Sequence, residues 1–529
     1  MDTANTLTTR PSAALARQLG LLPRLTAAVG QDVAEQAERS LARLERQSRS
    51  RSLTASHVLL PFGGGKDCSW TLAYLRLMQL MLLARGEGTF QLHLLIMLSP
   101  GTPHGVFANI SNVFSALEID ASEDVHVFAT SLNGEPVRLA PGSLGEQHRE
   151  VFRQDILISG HLARGNGRET FCYACNFLVM NAIARYVTAQ DGELDFVVTG
   201  DSNAEFTGYW KWVQKTASRF GLERIARGRA SWASLFGKLA EINDSYYLRL
   251  MGPEALTNGS PYVFPHLDRQ SFHAPESFQV FVETSYEFWT HDEFMRGFLG
   301  FELRPDAFNF TESDCRNPLL MAHLRGLLAE FEGRGYVDGV REYTRFATVI
   351  MRQKQYDDSM ITRALAPYRD EARILYQREQ AEEFARASYG LAPSQLAGMV
   401  ASPVTDGAAR MHDYLRWRFP DEAAALAPVL ERYLECFRRA LSEEPAASDE
   451  ELERRAARLW ALSLRPEDAA RARRFLREEL GLATRGLRLL ALRRASHPAS
   501  ELGLVRLGDP HQWQIGSEPG RVNNVMTGR

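Results

Sequence analysis

The sequence predicts an α/β protein: a doubly wound parallel sheet flanked by N-terminal helices and followed by a helical C-terminal domain. Two observations carry this. Short apolar runs alternate with helix-length segments from His57 to about Glu283, the pattern of parallel strands covered on both faces. Beyond about Tyr343 the strand signal stops, and the chain turns rich in Ala, Leu, Arg and Glu. A length of 529 residues suits about two to four domains. The predicted division is 1–55, an N-terminal helical segment; 56–343, the α/β domain; and 344–529, the helical domain.

In chain order, residues 1 to about 55 carry apolar residues at helical spacing, ending in the Arg/Ser-rich stretch Arg46 to Ser52, which reads as a linker. The first strand is predicted over His57–Phe62 and stops at three glycines. A Leu-, Met- and Ala-rich helix follows over Cys68–Arg85. The next strands are predicted at Phe90–Leu98, Val125–Thr130 and Asp195–Gly200, the last preceded by a helix over Asn176–Ala189. A fifth is expected at Phe278–Glu283. The helical domain shows breaks near Gly390, Ser402-Pro403 and Glu443 to Ser448, and no fixed-period repeat.

Hydrophobic content of 45%, charged content of 24% and a net charge of −4 are ordinary for a globular protein and give no global pull toward nucleic acid or membrane. The first residues lack a basic region followed by an apolar core, and unbroken apolar runs such as Leu80 to Ala84 and Leu94 to Leu98 are too short to span a bilayer. The expectation is a cytoplasmic protein with no membrane partner. Five cysteines, an odd and sparse set, do not suit a disulfide framework. Reduced thiols or metal ligands are expected.

The strand, glycines and helix around Gly63-Gly64-Gly65-Lys66-Asp67-Cys68-Ser69 form a phosphate-binding arrangement. Glycine lets backbone approach an anion, and a helix N-terminus offers unpaired N–H groups and the positive end of its dipole. Lys66 adds a point charge, and Asp67 is a candidate magnesium ligand. A glycine-rich turn with no ligand is the alternative, though three glycines in a row cost stability without a reason. Two familiar loops do not fit. A Walker A loop would need glycine at Leu60 and Ser or Thr at Asp67, and a dinucleotide fingerprint would need glycine at Cys68.

What remains resembles the pyrophosphate loop of the N-type ATP pyrophosphatases, the PP-loop family, written S-G-G-x-D-S. The chain has Gly63 and Cys68 where the family has serines, with Ser69 adjacent. The resemblance covers roughly His57 to Arg341. It implies ATP and magnesium, with Gly63, Gly64, Gly65, Lys66, Asp67, Cys68 and Ser69 around the pyrophosphate. It also implies a second half of the site after the Asp195–Thr199 strand, in Gly200-Asp201-Ser202-Asn203-Ala204-Glu205. There Gly200 and Asn203 would contact the nucleotide or substrate, and Asp201, with Asp67, would hold the metal. An ordinary helix cap is the alternative for that loop. The strand ending near Leu98-Ser99-Pro100 would meet the adenine through its backbone.

Cys172 and Cys175 form a C-x-x-C, placed just before the predicted Asn176–Ala189 helix. The order of glycine loop, cysteine pair, helix, strand and polar loop is similar to that of the tRNA-thiolating, sulfur-transferring branch of the family. That likeness implies a 4Fe-4S cluster on Cys172, Cys175 and Cys315. A zinc site, a redox pair and inert buried thiols stay open. Cys436 reads as core, and Cys68 as a packed substitute for serine.

The implied activity is adenylation: ATP activates a substrate oxygen as its AMP derivative, pyrophosphate leaves, and sulfur or an amine displaces AMP. Lys66, Asp67 and Asp201 are the candidate catalytic residues. The substrate class, small molecule or tRNA, stays open, as does a sulfur- or ammonia-donor protein. A fused glutaminase is not expected, since residue 2 is Asp and no cysteine precedes Cys68. A non-catalytic ATP-binding or assembly protein and an amide- or nitrile-forming ligase without a cluster are the rival readings. Thr207 to Trp212 is aromatic and suits either core or a stacking surface. Thr290 and Glu293 read as a capping box. The arginines between Arg471 and Arg494 suit either a solvated face or an RNA footprint.

Overall fold

The computed structural model describes residues 13–48, 52–131, 134–200, 203–225, 231–251, 263–264, 274–282, 291–304, 318–353, 356–443 and 448–491. Two helices open it, α1 (Ala13–Val29) and α2 (Gln31–Gln47). The α/β part then runs β1 (His57–Pro61), α3 (Lys66–Arg85), β2 (Gln91–Met97), α4 (His104–Ala116), β3 (Val125–Thr130), α5 (Glu146–Ala163), α6 (Gly167–Ala189), β4 (Phe196–Val198), α7 (Asn203–Arg219), α8 (Trp232–Met251) and β5 (Glu276–Phe278). The remainder is helical: α9 (Pro318–Phe331), α10 (Tyr336–Gln353), α11 (Asp358–Leu365), α12 (Glu371–Tyr389), α13 (Pro393–Ala401), α14 (Met411–Arg418), α15 (Ala423–Glu443), α16 (Asp449–Ala461), α17 (Pro466–Glu478) and α18 (Thr484–Leu490).

The strands form one all-parallel sheet in the order β3-β2-β1-β4-β5. The chain winds outward from β1 through β2 to β3, then returns to the other side of β1 for β4 and β5. Adjacent β1 and β4 are therefore the point where the winding reverses, and the crevice above their carboxyl ends is where such sheets bind ligands. The inner strands are apolar because both faces are covered: β2 and β4 are buried along their middles, with Leu92, Leu94, Leu95, Val197 and Val198 inaccessible. The edge strand β3 leaves Val127 and Phe128 partly exposed.

Helix α3 is buried around most of its circumference, since the sheet lies on one side and α1 and α2 pack on the other. Two polar side chains are buried with it. The Arg76 guanidinium donates to Gln18 of α1, to Gln79 and to the Leu117 carbonyl, while Gln79 donates to the Phe90 and Asp124 carbonyls. Burial pulls the Arg76 pKa down to about 10, against the upward pull of Asp124 and Glu118. Buried charge of this kind has to be hydrogen-bonded, so Arg76 fixes both α1 and the loop after α4 against α3.

Several boundaries differ from the sequence reading. β5 is Glu276–Phe278, and the apolar Val280–Val282 that was expected to extend it folds into a 3-10 turn. The helix expected from Asn176 begins at Gly167, so Cys172 and Cys175 lie within α6, one turn apart, rather than before it. The helical remainder starts at Pro318, and α10 runs through the division expected at 343/344. The breaks expected in that region coincide with helix ends. Gly390 caps α12 in the left-handed conformation, Ser402 follows α13, and Ser448 caps α16 by accepting from the Glu451 N–H. Cys436 is buried in α15. Thr290 of the expected capping box lies outside the described residues. No described helix is long and apolar enough to cross a membrane.

The helical remainder docks on α5. His161 of α5 sits against α13 and hydrogen-bonds the Leu480 carbonyl, and its own carbonyl accepts from the Ser402 hydroxyl. In α9, His323 pairs with the Tyr336 hydroxyl at 2.9 Å. Both rings are buried, which pushes the His161 pKa down to about 4 and that of His323 to about 3. Arg410 and Arg378 respectively add to the depression, and the Leu480 carbonyl opposes it for His161. The unfolded chain protonates these groups near pH 6.5, so the folded state binds fewer protons below that pH. Their contribution is intact above about pH 6.5 and is lost as pH falls toward 4 and below. We predict a stability–pH slope between pH 6 and 4.5 that drops by about 1.4 kcal/mol per pH unit in His323→Phe; urea titrations across that range check it, and an unchanged slope contradicts it.

Candidate active site

The glycine loop begins where β1 stops. The Phe62 N–H still donates to the Leu95 carbonyl at 2.8 Å, and its buried ring stacks on Phe114. The three glycines then differ in what holds them. Gly64 has φ +70°, and a Cβ there would lie 2.7 Å from Ile110 and 2.8 Å from Val106 of α4. Both the backbone conformation and the close approach to these side chains make any other residue strained there. Gly63 and Gly65 have ordinary backbone, and a Cβ at either would meet nothing within 4 Å. Both are exposed. The chain's own packing therefore does not require glycine at these two positions.

Gly65 is the N-cap of α3 at φ −83° and ψ 173° and has no side chain to cap with. Cys68, in the first turn, takes up part of that role: its sulfur accepts from the Gly65 N–H and lies 3.2 Å from the Gly65 carbonyl. Burial pushes its thiol up to about 11; the amides of Gly63, Gly65 and Gly64 pull it down, and Asp67 pushes it up further. At neutral pH it is a thiol, a poor nucleophile. The Ser69 hydroxyl is buried and donates to the Gly65 carbonyl at 2.7 Å, so it faces the protein rather than the crevice. Lys66 Nζ donates to both Asp67 carboxylate oxygens, at 2.6 and 2.7 Å. Both side chains are partly exposed.

Gly200, directly after β4, closes on the same turn. A Cβ there would lie 3.1 Å from the Cys68 nitrogen and 3.2 Å from the Asp67 carbonyl carbon. The two predicted halves of the site are thus in backbone contact across the β1–β4 reversal. Asp201 and Ser202 lie outside the described residues. Asn203 and Glu205 start α7, with their side chains outside the described set. In a parallel sheet each following helix begins above the carboxyl ends, so α3, α4 and α7 all turn their N-termini toward this crevice.

The loop after β2 is held by the Thr102 hydroxyl, which accepts from the Ser99 N–H at 3.1 Å. Cys172 and Cys175 occupy the N-terminal part of α6, which runs back along the sheet into β4 and so begins at the same carboxyl end. Their side chains and Cys315 lie outside the described residues, and no group of three or more His, Cys, Asp or Glu suited to a metal ion occurs among the described ones. Trp212 is buried between Phe177 and Tyr209, which favours core for that end of the aromatic stretch. Of the basic stretch, Arg471 pairs with Glu422, Arg485 and Arg488 with Asp449, and Arg473 stacks on Trp460.

Sequence reasoning did not find a histidine relay at the opposite end of the sheet. His57 Nδ1 meets His93 Nε2 at 2.9 Å, and His93 Nδ1 meets the Tyr186 hydroxyl at 2.8 Å. Burial, then His57 and His126, lower the His93 pKa to about 4. Alternate positions on neighbouring strands were its signal, legible only once register is known.

Two glycine substitutions separate structure from binding. Gly64→Ala is predicted to destabilise the fold by roughly 1–3 kcal/mol through strain and overlap with α4. Gly63→Ala is predicted to leave the melting temperature within about 1 °C, since nothing stands where its methyl would go. Thermal melts of both check this, and equal effects contradict it. Compared with protein-family models, curated proteins and solved structures, the chain matches none.

Proposed function

We propose that the chain binds ATP at the glycine loop and adenylates a substrate oxygen. The observation that carries this reading is the pair Gly63 and Gly65: glycines that the fold does not demand, exposed at the N-terminus of α3, above the reversal between β1 and β4. Glycine leaves room for a phosphate to approach this backbone, where the Gly65 N–H would exchange its Cys68 sulfur partner for a phosphate oxygen.

In the proposed reaction a substrate oxygen attacks the α-phosphorus, and the bond from that phosphorus to the bridging oxygen breaks. Pyrophosphate leaves with the electron pair, its charge held by the loop amides and Lys66 in an electrostatic role. Asp67 is a partly exposed carboxylate beside the loop and suits magnesium, which binds through one or two carboxylates plus phosphate oxygens. That ion would offset charge on the leaving pyrophosphate. Loading it would take Asp67 from Lys66 and free the ammonium for phosphate. A nucleophile, sulfur or amine, then attacks the activated carbon, and AMP leaves with the original oxygen.

The sulfur branch is favoured by two cysteine positions one turn apart at the crevice end of α6. A 4Fe-4S cluster, or zinc, on Cys172, Cys175 and Cys315 belongs to that branch, whereas an amide- or nitrile-forming ligase needs neither. The non-catalytic reading also has an observation in its favour. No free hydroxyl stands in the loop, since Gly63 and Cys68 carry none and Ser69 is bonded to the Gly65 carbonyl. Within the basic stretch Arg471, Arg485 and Arg488 are paired with carboxylates, which leaves less of it for a tRNA substrate, so a small-molecule substrate is the first to test. A cytoplasmic setting fits the proposal.

Incubation with magnesium and ATP across candidate carboxylate and carbonyl substrates should release AMP and pyrophosphate in equal amounts. Asp67→Ala should abolish release while ATP still binds. Tight ATP binding with no AMP under any condition would favour the non-catalytic reading, and no ATP binding would overturn both. Anaerobic purification tests the sulfur branch, where iron-free, colourless and active protein removes the cluster.

A further inference from the structure

Among the described residues, the helical C-terminal part meets the loop after β2 in the contact between Tyr389 and Gly101. Gly101 lies in the loop after β2, and a Cβ there would fall 1.7 Å from the Tyr389 hydroxyl and 2.5 Å from the ring carbon that bears it. Tyr389 is the last residue of α12, and its ring is buried among Phe152 of α5, Phe171 of α6 and Phe384. The end of α12 is pinned from α5: Arg149 donates to the Ala387 carbonyl and Arg153 to the Gly390 carbonyl. Cations on the last carbonyls of a helix suit its dipole and hold its end in place. Gly390, at φ +66°, then turns the chain away.

The loop carrying Gly101 runs directly into α4, whose Val106 and Ile110 face Gly64. On the β4 side the crevice is closed by Gly200 against the first turn of α3. Neighbouring strands lie about 4.8 Å apart, so a nucleoside extending from the glycine loop toward β2 would reach the Gly101 loop within its own length. We infer that Tyr389 is a positioning residue that seats the nucleoside-facing loop after β2, making nucleotide affinity depend on the C-terminal helical part. This rests on the ATP-binding reading. Tyr389 acts on the base end through Gly101, while the phosphates are held by the glycine loop.

The prediction is a split between ligands. In the full chain, Gly101→Ala and Tyr389→Phe should each weaken ATP by about tenfold or more and leave inorganic tripolyphosphate within about twofold of the parent, by calorimetric titration. Tyr389→Phe keeps the packed ring, so it reports on the contact if Gly101→Ala fails to fold. Equal weakening of both ligands would mean a general structural role and overturn the inference. Unchanged ATP affinity in Tyr389→Phe would overturn it as well. A parent chain that binds neither ligand would instead overturn the ATP-binding reading itself.

Discussion

The close backbone approach at the sheet reversal is the constraint on which the rest depends. Gly64 lies against α4, and Gly200 lies against the first turn of α3. Together they fix the height and tilt of one helix N-terminus above two strands. With both in place, Gly63 and Gly65 are exposed with nothing where a side chain would stand, and the amide of Gly65 rests on the Cys68 sulfur. A side chain at Gly64 would be strained and crowd Val106 and Ile110, and one at Gly200 would require the first turn of α3 to give by a few tenths of an ångström.

Holding α3 that firmly needs support from behind, which explains the outer helices. An apolar helix with polar Arg76 and Gln79 in its buried surface cannot face water, so α1 and α2 cover it, and Gln18 supplies a partner that Arg76 would otherwise lack. The other face is built the same way. α6 lies against the sheet, α5 packs on α6, and the C-terminal helices then cover α5 through buried His161, Ser402 and Leu480. The site thus rests on two layers each way, and its loops are the thin part of a thick molecule.

Much of the α/β half was legible because its strands are apolar runs with clear punctuation. β1 ends at glycines, β2 ends before Ser99-Pro100-Gly101, and Val125–Thr130 coincides with the expected strand. The fifth strand misled because an apolar run such as Val280-Phe281-Val282 carries no period that separates strand from turn. α5 was not anticipated because its buried residues crowd into the second half, leaving Glu146 to Val151 with no apolar stripe. At the site, the sequence located the glycine loop but gave the three glycines equal weight; only the packing separates Gly64 from its neighbours. It suggested Ser69 as a ligand, and that hydroxyl is bonded to the Gly65 carbonyl. The Tyr389–Gly101 contact joins distant segments and had no local signal.

The central claim is that nucleotide phosphates sit on the amides of the glycine loop. Hydrogen–deuterium exchange of the full chain, with and without ATP and magnesium, tests it most directly because it reads those amides themselves. The account predicts slowed exchange in peptides spanning residues 62–69, with a smaller effect at the end of β4. Saturating ATP that leaves residues 62–69 unchanged, or protects another region alone, would contradict it.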